Sequence, residues 1–383
     1  MTVAGLMIRI GRSPDRGASW LSWSRPVGEA PNRQVRAHIM NPYSNLDDRA
    51  YWKRGVEAQH PLAPVDLYRK KFDIGGDDRI ATAGSCFAQH IARHMRSSGY
   101  QVIDAEPPPK YMPEDLAKTF GFNLYSARYG NIYTTRQLLQ LAKAAFGKWS
   151  PSQIVWEKNG RYYDALRPSV EPEGLSSPEE VMAHRLNHLH HVARMMEQAT
   201  VFIFTFGLTE TWEHIESGTV YPTAPGVIAG RFDPQVFRFK NLTFAETLQD
   251  FLEFRKLVRA ANPTVKFLVT VSPVPLTATA SGEHVLSATS YSKSVLRAVA
   301  GQLYHELDDV DYFPSYEIIA SHPSRGFFYK GNMREVDNGG VNIVMKTFFS
   351  QHRPAQKAKV SSRRKAGDHD RIVCEEALLE AFG

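Results

Sequence analysis

Cysteine is scarce in this chain, and long apolar runs are absent. Cys86 and Cys374 are the two cysteines among 383 residues, so a disulfide framework is not expected and a reducing compartment fits better. No apolar stretch approaches the roughly 20 residues that a membrane-spanning helix needs. Residues 1–26 lack a clean apolar segment followed by a small-residue cleavage site, so no signal peptide is predicted. The sequence therefore predicts a cytoplasmic protein without a membrane span.

A local excess of positive charge lies in the C-terminal tail. The net charge of the whole chain is +6, and the stretch from Gln351 to Arg371 holds seven Lys and Arg residues against two Asp residues. The rest of the chain is therefore nearly neutral, and a basic folded surface for nucleic acid is not indicated. The sequence also lacks a Gly-x-Gly-x-x-Gly motif and a phosphate-binding P-loop.

The composition divides the chain into three segments. Residues 1–40 are rich in Arg, Ser, Gly and Pro without periodicity, which predicts a flexible N-terminal arm. Residues 41–350 are predicted to form the ordered domain. Residues 351–383 are predicted to form a basic tail with a short terminal helix.

Strand and helix patterns alternate through the domain. Short apolar runs predict buried strands at 80–83, 100–103, 200–206, 265–271 and 310–313. Helical spacing is present at 86–97, 243–260, 287–307 and 338–350. This alternation predicts an α/β fold of three layers around a mostly parallel five-stranded sheet. The long stretch 105–198 predicts a helical insertion between the second and third core strands.

Ligands of parallel α/β sheets bind beyond the carboxyl ends of the strands. That rule selects four turns, at 84–88, 207–212, 272–286 and 314–337. In the first turn, Ser85 stands between a strand and a helix, whose N-terminal N–H groups and positive dipole end favour an oxyanion. Ser85 is therefore a candidate nucleophile. Two alternatives remain open: Ser85 is a helix cap, or Cys86 is the nucleophile, with its pKa lowered by the helix N-terminus.

Five motifs together resemble one family. The first, Gly84-Ser85-Cys86-Phe87-Ala88, is the signature of the GSCFA family, an SGNH/GDSL-esterase-like group. The others, in the family's order, are Phe206-Gly207-Leu208-Thr209-Glu210-Thr211-Trp212, Ser272-Pro273-Val274-Pro275, Tyr291-Ser292-Lys293-Ser294 and Tyr312-Phe313-Pro314-Ser315-Tyr316-Glu317. The resemblance covers about residues 40–350 and implies a flavodoxin-like SGNH fold and ester chemistry.

The resemblance also implies site residues. In SGNH enzymes the serine of the first block attacks an acyl carbonyl, and a Gly and an Asn of later blocks help to hold the oxyanion. Ser85 matches the serine, and Gly130 best matches the second-block Gly, with Gly121 as a competitor. In the third block, Thr209 replaces the Asn and Glu210 replaces the Asp. The implied oxyanion and substrate-binding residues are Gly130, Asn131, Gly207, Thr209 and Glu210.

The general base of SGNH enzymes has no counterpart in this sequence. Their Asp-x-x-His motif precedes the last helix, where this chain reads Asn332-Met333-Arg334-Glu335. Since a serine hydroxyl is a weak nucleophile without a base, three substitutes are considered: His284, His322 and Glu335. Glu335 needs a raised pKa for this role. The alternative interpretations are an exposed loop residue for each histidine and a helix N-terminal acid for Glu335.

Three further groups have alternative interpretations. The histidines of one helix (His184, His188, His190 and His191) have metal-site spacing, but a solvated or packed helix face explains them more simply, and no metal is predicted. Asp164 and Arg167 either order the insertion or bind substrate. Lys293 and Arg297, one helical turn apart, either meet a phosphate or are solvated.

These observations lead to one functional expectation and one rival. The sequence predicts a Ser-dependent acyl-ester hydrolase or O-acyltransferase of SGNH type, acting on a carbohydrate-linked or other polar small-molecule ester. No cofactor is predicted, except that acyl-CoA is a possible donor for a transferase. The rival is a non-catalytic pocket that binds an acylated or phosphorylated ligand. The oligomeric state is not predicted.

Overall fold

The computed structural model describes residues 41–353 and 375–382. The predicted arm, residues 1–40, and most of the predicted basic tail, residues 354–374, lie outside the described residues. From Asp47 onward the chain forms one compact unit, whereas residues 41–46 belong to a separate N-terminal unit. The fold and the site described below belong to the larger unit.

Ten strands and eight α-helices are present in the described residues. The strands are β1 (Arg79–Gly84), β2 (Gln101–Val102), β3 (Val155–Lys158), β4 (Arg161–Asp164), β5 (Val201–Phe206), β6 (Glu210–His214), β7 (Val220–Tyr221), β8 (Phe237–Asn241), β9 (Lys266–Val271) and β10 (Val310–Tyr312). The α-helices are α1 (Phe87–Ser97), α2 (Glu114–Thr119), α3 (Thr135–Ala145), α4 (Pro178–Gln198), α5 (Phe244–Ala261), α6 (Val285–Glu306), α7 (Ser315–Ala320) and α8 (Asn338–Gln351). Short 3₁₀ helices occupy Asp48–Ala50, His322–Ser324 and Glu375–Phe382, and a π-helical turn occupies Lys53–Glu57. Below, Glu375–Phe382 is called the C-terminal helix.

The central sheet has five parallel strands in the order β10-β9-β5-β1-β2. Counted along the chain among these five strands, the order is 2-1-3-4-5, which is the flavodoxin-like arrangement. The predicted fold class is therefore confirmed. Two smaller antiparallel elements, the β3–β4 hairpin and the β7-β6-β8 sheet, were not predicted.

Alternating side chains of the central strands divide the core into two halves. On β5, Phe202 and Phe204 face one side, while Val201 and Ile203 face the other. The first side packs against α3, α4, α5 and α6, and the second against α1, α7 and α8. Burial of both faces explains why the strand sequences are almost uniformly apolar, and the result is the predicted three layers.

The segment between β2 and β5 is more than a helical insertion. It holds α2, α3 and α4, as predicted for a helical segment, and also the β3–β4 hairpin. Val192 and Met196 of α4 lie in the sheet-facing core, so α4 also covers the sheet. Ser177 accepts a hydrogen bond from the backbone N–H of Glu180 and begins this helix.

The turn after β1 requires glycine. Gly84 has a φ of +140°, which side chains other than glycine rarely adopt. A Cβ placed on Gly84 would lie 2.5 Å from the carbonyl oxygen of Thr205 on the neighbouring strand β5. The close approach of the two strand ends therefore depends on the missing side chain.

A substitution at Gly84 is expected to destabilise the fold. Gly84→Ala should lower the free energy of unfolding by at least about 2 kcal/mol, because the new methyl group displaces the end of β5 and strains the backbone. Gly331→Ala is the matched control, since no atom lies within 4 Å of its added Cβ. Urea unfolding of both variants checks this prediction, and equal midpoints for the two would contradict it.

Candidate active site

Ser85 lies at the point where the order of the sheet strands reverses. It directly follows β1, and Gly207 directly follows the neighbouring strand β5. In doubly wound sheets this switch point is where ligands bind. A Cβ on Gly207 would lie 2.9 Å from the Cβ of Ser85. The two strand ends therefore meet with no side chain between them.

The Ser85 hydroxyl is buried and unengaged. Ser85 is 2% exposed, and its Oγ has no hydrogen-bond partner in the described residues. Cys86 occupies the N-cap position of α1, which has no side-chain capping bond. Ser85 therefore does not cap the helix, and that alternative is excluded. Because a buried hydroxyl without a partner is unfavourable, its retention points to a functional position.

The loop at residues 130–133 forms a third wall of the site. The N–H of Ile132 donates to the carbonyl oxygen of Gly84 at 2.9 Å, and the N–H of Gly207 donates to the carbonyl oxygen of Tyr133 at 3.0 Å. Gly130, with a φ of +69°, begins this loop. The competing Gly121 lies at the end of α2 instead. The structure thus brings the segment of the predicted Gly130 and Asn131 to the same place as Ser85.

Most of the predicted oxyanion donors are engaged within the protein. The N–H of Ser85 donates to Thr205 O at 3.3 Å. The N–H of Thr209 donates to Ser292 Oγ at 3.0 Å, and the Thr209 hydroxyl donates to Asn241 Oδ1 at 2.6 Å. In this arrangement Thr209 stabilises its own loop, and an oxyanion role for it stays a prediction.

A buried lysine lies beside the serine turn. Lys293 of α6 is 2% exposed, and its Nζ donates to the carbonyl oxygen of Gly207 at 2.6 Å. Burial lowers the pKa of Lys293 to about 8; Glu376 and Cys86 oppose this effect, and Arg334 adds to it. An amine with a pKa in this range can accept a proton near neutral pH.

Arg297 does not share the site of Lys293. Its guanidinium forms an ion pair with Glu317 at 2.5 Å and lies over the ring of Tyr312. The arrangement in which Lys293 and Arg297 meet one phosphate is therefore not formed. The other alternative, a solvated side chain, is wrong for Lys293, which is buried.

Neither candidate histidine contacts Ser85. His284 is exposed at the N-cap of α6, where its Nδ1 accepts a hydrogen bond from the N–H of Leu286 at 3.2 Å. His322 stacks on Trp52, with the ring centroids 5.3 Å apart. The structure places each ring in a local contact that is separate from the Ser85 hydroxyl, and their role as a base stays a prediction.

Residues 332–335 stand where SGNH enzymes have Asp-x-x-His, and here Arg334, not Glu335, is directed toward the interior. Glu335 is exposed and pairs with Lys330 at 2.6 Å, and this hydrogen bond lowers the pKa of Glu335. Glu335 therefore does not have the raised pKa that a general base requires, and that hypothesis is wrong. The acid at the N-terminus of α8 is Asp337, which is its N-cap. Arg334 points inward instead, and its Nη2 lies 3.0 Å from an oxygen of the half-buried Glu376.

Asn131 belongs to a buried hydrogen-bond network that reaches Ser85. Its Oδ1 accepts from the hydroxyl of Tyr125 and lies 3.4 Å from Gln89 Nε2. The same Tyr125 hydroxyl lies 3.2 Å from the carbonyl oxygen of Ser85. These contacts fix the side-chain amide of Asn131 so that its Nδ2 is directed toward the C-terminal helix.

The C-terminal helix inserts a carboxylate at this point. The Glu375 carboxylate accepts hydrogen bonds from Asn131 Nδ2, from the hydroxyl of Ser169 and, at 2.9 Å, from the hydroxyl of Tyr133. A Cβ on Gly130 would lie 3.2 Å from Glu375 Oε1. The Glu375 carboxylate is therefore bound by the loop that was predicted to bind the oxyanion or the substrate.

Glu210 faces a cavity on the other side of the site. Its carboxylate accepts a hydrogen bond from the hydroxyl of Thr279 at 2.7 Å, and burial raises its pKa. The cavity has a volume of about 170 Å³, and its walls include Trp212, Phe239 and, from the C-terminal helix, Leu379. Aromatic and polar residues therefore line the same cavity.

Asp164 lies in a buried ion-pair cluster within the insertion. Its carboxylate contacts Arg167 at 2.8 Å and Arg185 at 3.1 Å, and all three residues are buried. This arrangement agrees with the ordering role considered for Asp164 and Arg167. The cluster joins β4 to α4, which the sequence places 14 or more residues apart.

The histidine-rich helix forms structural contacts. His188 is buried and pairs with Glu106 at 2.7 Å, and burial lowers the pKa of His188 to about 4. Within residues 41–353 and 375–382, no three His, Cys, Asp or Glu side chains are grouped to hold a metal ion. In the same part of the chain, no helix is long and apolar enough to span a membrane.

Comparison with known proteins decides the family. A model of the GSCFA family matches residues 79–348. The chain belongs to the GSCFA family. No curated protein matches it significantly. Among solved structures, a carbohydrate esterase of family 3 from Talaromyces cellulolyticus is 12% identical, over 57% of this chain and 89% of that chain, with a TM-score of 0.26. At that identity and TM-score, the match says nothing about activity.

Three separate GSCFA motifs supply residues to the same site. The signature turn supplies Ser85, the second motif supplies Gly207, and the fourth supplies Lys293 together with Ser292, which holds Thr209. Sequence reasoning considered Lys293 only as a phosphate contact or a solvated residue. It missed the contributions of Gln89, Tyr125, Tyr133, Arg334 and Glu375. The spacing of Gln89, one helical turn after Ser85, is a signal that could have indicated a second polar side chain at this site.

Proposed function

We propose that this GSCFA protein is an esterase-like enzyme in which Ser85 is the nucleophile and Lys293 accepts its proton. The observation that supports this most strongly is the buried hydroxyl of Ser85 at the switch point of the sheet, which has no hydrogen-bond partner within residues 41–353 and 375–382. Lys293 supports it as well, since its pKa of about 8 allows a neutral amine to exist near the Ser85 turn. Serine–lysine pairs are an established variant of the serine–histidine arrangement.

The reaction proceeds through an acylated serine. Ser85 Oγ attacks the ester carbonyl carbon while its proton passes to the neutral amine of Lys293. The bond to the alcohol oxygen then breaks, and that oxygen takes the proton from Lys293. Water, or an acceptor hydroxyl in a transferase, attacks the acyl-serine in the same way and restores the Ser85 hydroxyl. A neutral Lys293 keeps two N–H bonds, so it still donates to Gly207 while its lone pair accepts the proton.

The proposed substrate is a polar ester, linked to a carbohydrate or a similar alcohol. The cavity beside the site supports this choice, because the rings of Trp212 and Phe239 lie near the carboxylate of Glu210 and the hydroxyl of Thr279. Apolar ring faces pack against the faces of sugar rings, and carboxylates and hydroxyls pair with sugar hydroxyls.

Acetate release tests the proposed activity. We expect the protein to release acetate from p-nitrophenyl acetate and from acetylated glucose, with acetyl-CoA plus glucose as the transferase assay. Ser85→Ala should lower the rate by at least about 100-fold, since the acyl-enzyme cannot form. Cys86→Ala is the matched control and should retain the rate. An unchanged rate in Ser85→Ala would exclude Ser85 as the nucleophile.

A non-catalytic binding pocket is the second candidate function. It is favoured by the engaged N–H groups of Ser85, Gly207 and Thr209, which leave fewer donors for an oxyanion. In that case the folded protein would bind acetylated glucose without releasing acetate, and Ser85→Ala would bind it equally well.

A further inference from the structure

The donors around Glu375 form a defined binding geometry. Glu375 is 2% exposed although it begins a surface helix. Asn131 and Tyr133 both donate to Oε2, and Ser169 donates to Oε1, so each carboxylate oxygen has a partner. Such arrangements suit a planar carboxylate, and hydrogen bonds to an ionised acceptor are stronger than those between neutral groups.

These donors are held in place by groups other than Glu375. Tyr125 and Gln89 lie against the amide oxygen of Asn131, which directs its Nδ2 outward. Asn131 and Tyr133 lie in the loop whose backbone bonds to Gly84 and Gly207. Asn131 and Tyr133 therefore belong to the same part of the molecule as Ser85, and the position of their loop does not depend on the C-terminal helix alone.

The charge of the surroundings selects among anions. In the described part of the chain, no Lys or Arg forms an ion pair with Glu375, and its three donors are neutral groups. Phosphate groups are usually recognised by Arg or Lys, which compensate their higher charge. A singly charged carboxylate is therefore the anion that these donors suit best.

We propose that Asn131, Tyr133 and Ser169 form a carboxylate subsite beside Ser85, which binds a carboxylate of the substrate and which Glu375 occupies when substrate is absent. This proposal rests on the proposed esterase function. The substrate would then be an ester that also carries a carboxylate. Glu375 then acts as an internal competitor. The ion pair of Glu376 with Arg334 is a second contact that holds the C-terminal helix over the site.

Calorimetric binding of glutarate to the full-length chain tests the carboxylate subsite without any need for catalysis. Removal of the competitor in Glu375→Ala should lower the Kd for glutarate by at least about tenfold relative to wild type. Glu380→Ala is the matched control, since Glu380 is an exposed acid of the same helix, and it should bind like wild type. Adding Ser169→Ala to Glu375→Ala should weaken glutarate binding again.

Two further probes define the chemistry of the ligand. Glutaramide, which has the shape of glutarate without its charge, and inorganic phosphate should both bind Glu375→Ala more weakly than glutarate. Tighter binding of phosphate, or equal binding of glutarate by wild type and Glu375→Ala, would overturn the proposal. Glu375→Gln provides the same comparison with a side chain of unchanged size, if Glu375→Ala unfolds.

Covalent labelling separates failure of this proposal from failure of the proposed function. A fluorophosphonate should label Ser85 in wild type and in Glu375→Ala, and glutarate should slow the labelling of Glu375→Ala more than that of wild type, because Glu375 no longer competes with glutarate for the subsite. Glu380→Ala should behave like wild type. If Ser85 stays unlabelled while glutarate binds selectively to Glu375→Ala, the esterase function fails and the subsite stands. If Ser85 is labelled equally in all variants and glutarate shows no preference, the subsite fails and the esterase function stands.

Discussion

Replacing Lys293 by methionine is expected to slow acetate release from p-nitrophenyl acetate by about 100-fold or more, the usual contribution of a positioned general base. Lys293 is buried, and its Nζ is held at 2.6 Å from the carbonyl oxygen of Gly207, the residue that lies against Ser85. Burial also lowers the pKa of Lys293 to about 8, so part of the population carries a neutral amine at physiological pH. Methionine fills a similar volume but cannot accept the proton of Ser85.

The pH dependence of the rate identifies the protonation state that Lys293 uses. A base must be deprotonated, so the wild-type rate should rise as the pH increases through about 8, the pKa of Lys293. Below that pH the ammonium form predominates and the rate should fall. In Lys293→Met the rise through this range should be lost.

Two variants separate a base from a mere positive charge. Lys293→Arg keeps the charge but does not deprotonate, so it should be as slow as Lys293→Met. Arg297→Met is the matched control, because Arg297 pairs with Glu317 away from the site, and it should keep the wild-type rate. A Lys293→Arg variant that retains the rate and loses its pH dependence would show that Lys293 acts through its charge alone.

Replacing Asp164 by alanine is expected to lower the free energy of unfolding by about 3–5 kcal/mol, the typical cost of leaving a buried charge unpaired. Asp164 contacts both Arg167 and Arg185, and all three side chains are buried. Without the carboxylate, two guanidinium groups remain in the insertion without their counterion. Urea unfolding measures the loss.

The same carboxylate gives a signature in the pH dependence of stability. Burial alone would raise the pKa of Asp164, but Arg185 and Arg167 outweigh that effect and hold it below its ordinary value. The unfolded chain therefore binds this proton more readily than the folded one as the pH falls. The stabilisation by Asp164 is present above about pH 4, the ordinary value, and is lost as the pH falls through the lower folded value. The difference in the free energy of unfolding between wild type and Asp164→Ala should therefore shrink as the pH falls.

An exposed aspartate serves as the control for this prediction. Asp308 lies on the surface between α6 and β10, and Asp308→Ala should change stability by less than about 0.5 kcal/mol. A loss below about 1 kcal/mol in Asp164→Ala would contradict a structural role for the cluster. It would direct attention to the other role considered for Asp164 and Arg167, binding of substrate.

The central sheet could be predicted because its strands carry their own signal. Runs such as 200–206 and 265–271 are apolar throughout, since both of their faces are buried. The β3–β4 hairpin was missed although its turn carries a local signal. Asn159-Gly160 is a typical hairpin dipeptide and both residues have a positive φ, so the pairing of β4 (Arg161–Asp164) with β3 could have been predicted from the turn. Similarly, the predicted cleft turn 207–212 ends early, because β6 begins at Glu210.

The only parts of the site that could be predicted were those indicated by a pattern in neighbouring residues. The strand-to-helix rule places Ser85 at the mouth of the sheet, and its neighbours confirm that location. The burial of Lys293 depends on packing around α6, and nothing in the sequence near residue 293 indicates it. Glu375 meets Asn131 across 244 residues of chain, a separation at which a single sequence offers no local pattern.

The most direct test of the central claim is to map the site of fluorophosphonate attachment by mass spectrometry on the folded chain and on Glu375→Ala. The account predicts an adduct on Ser85 that is lost in Ser85→Ala and kept in Cys86→Ala. An adduct on Cys86, or none on either folded protein, would contradict it.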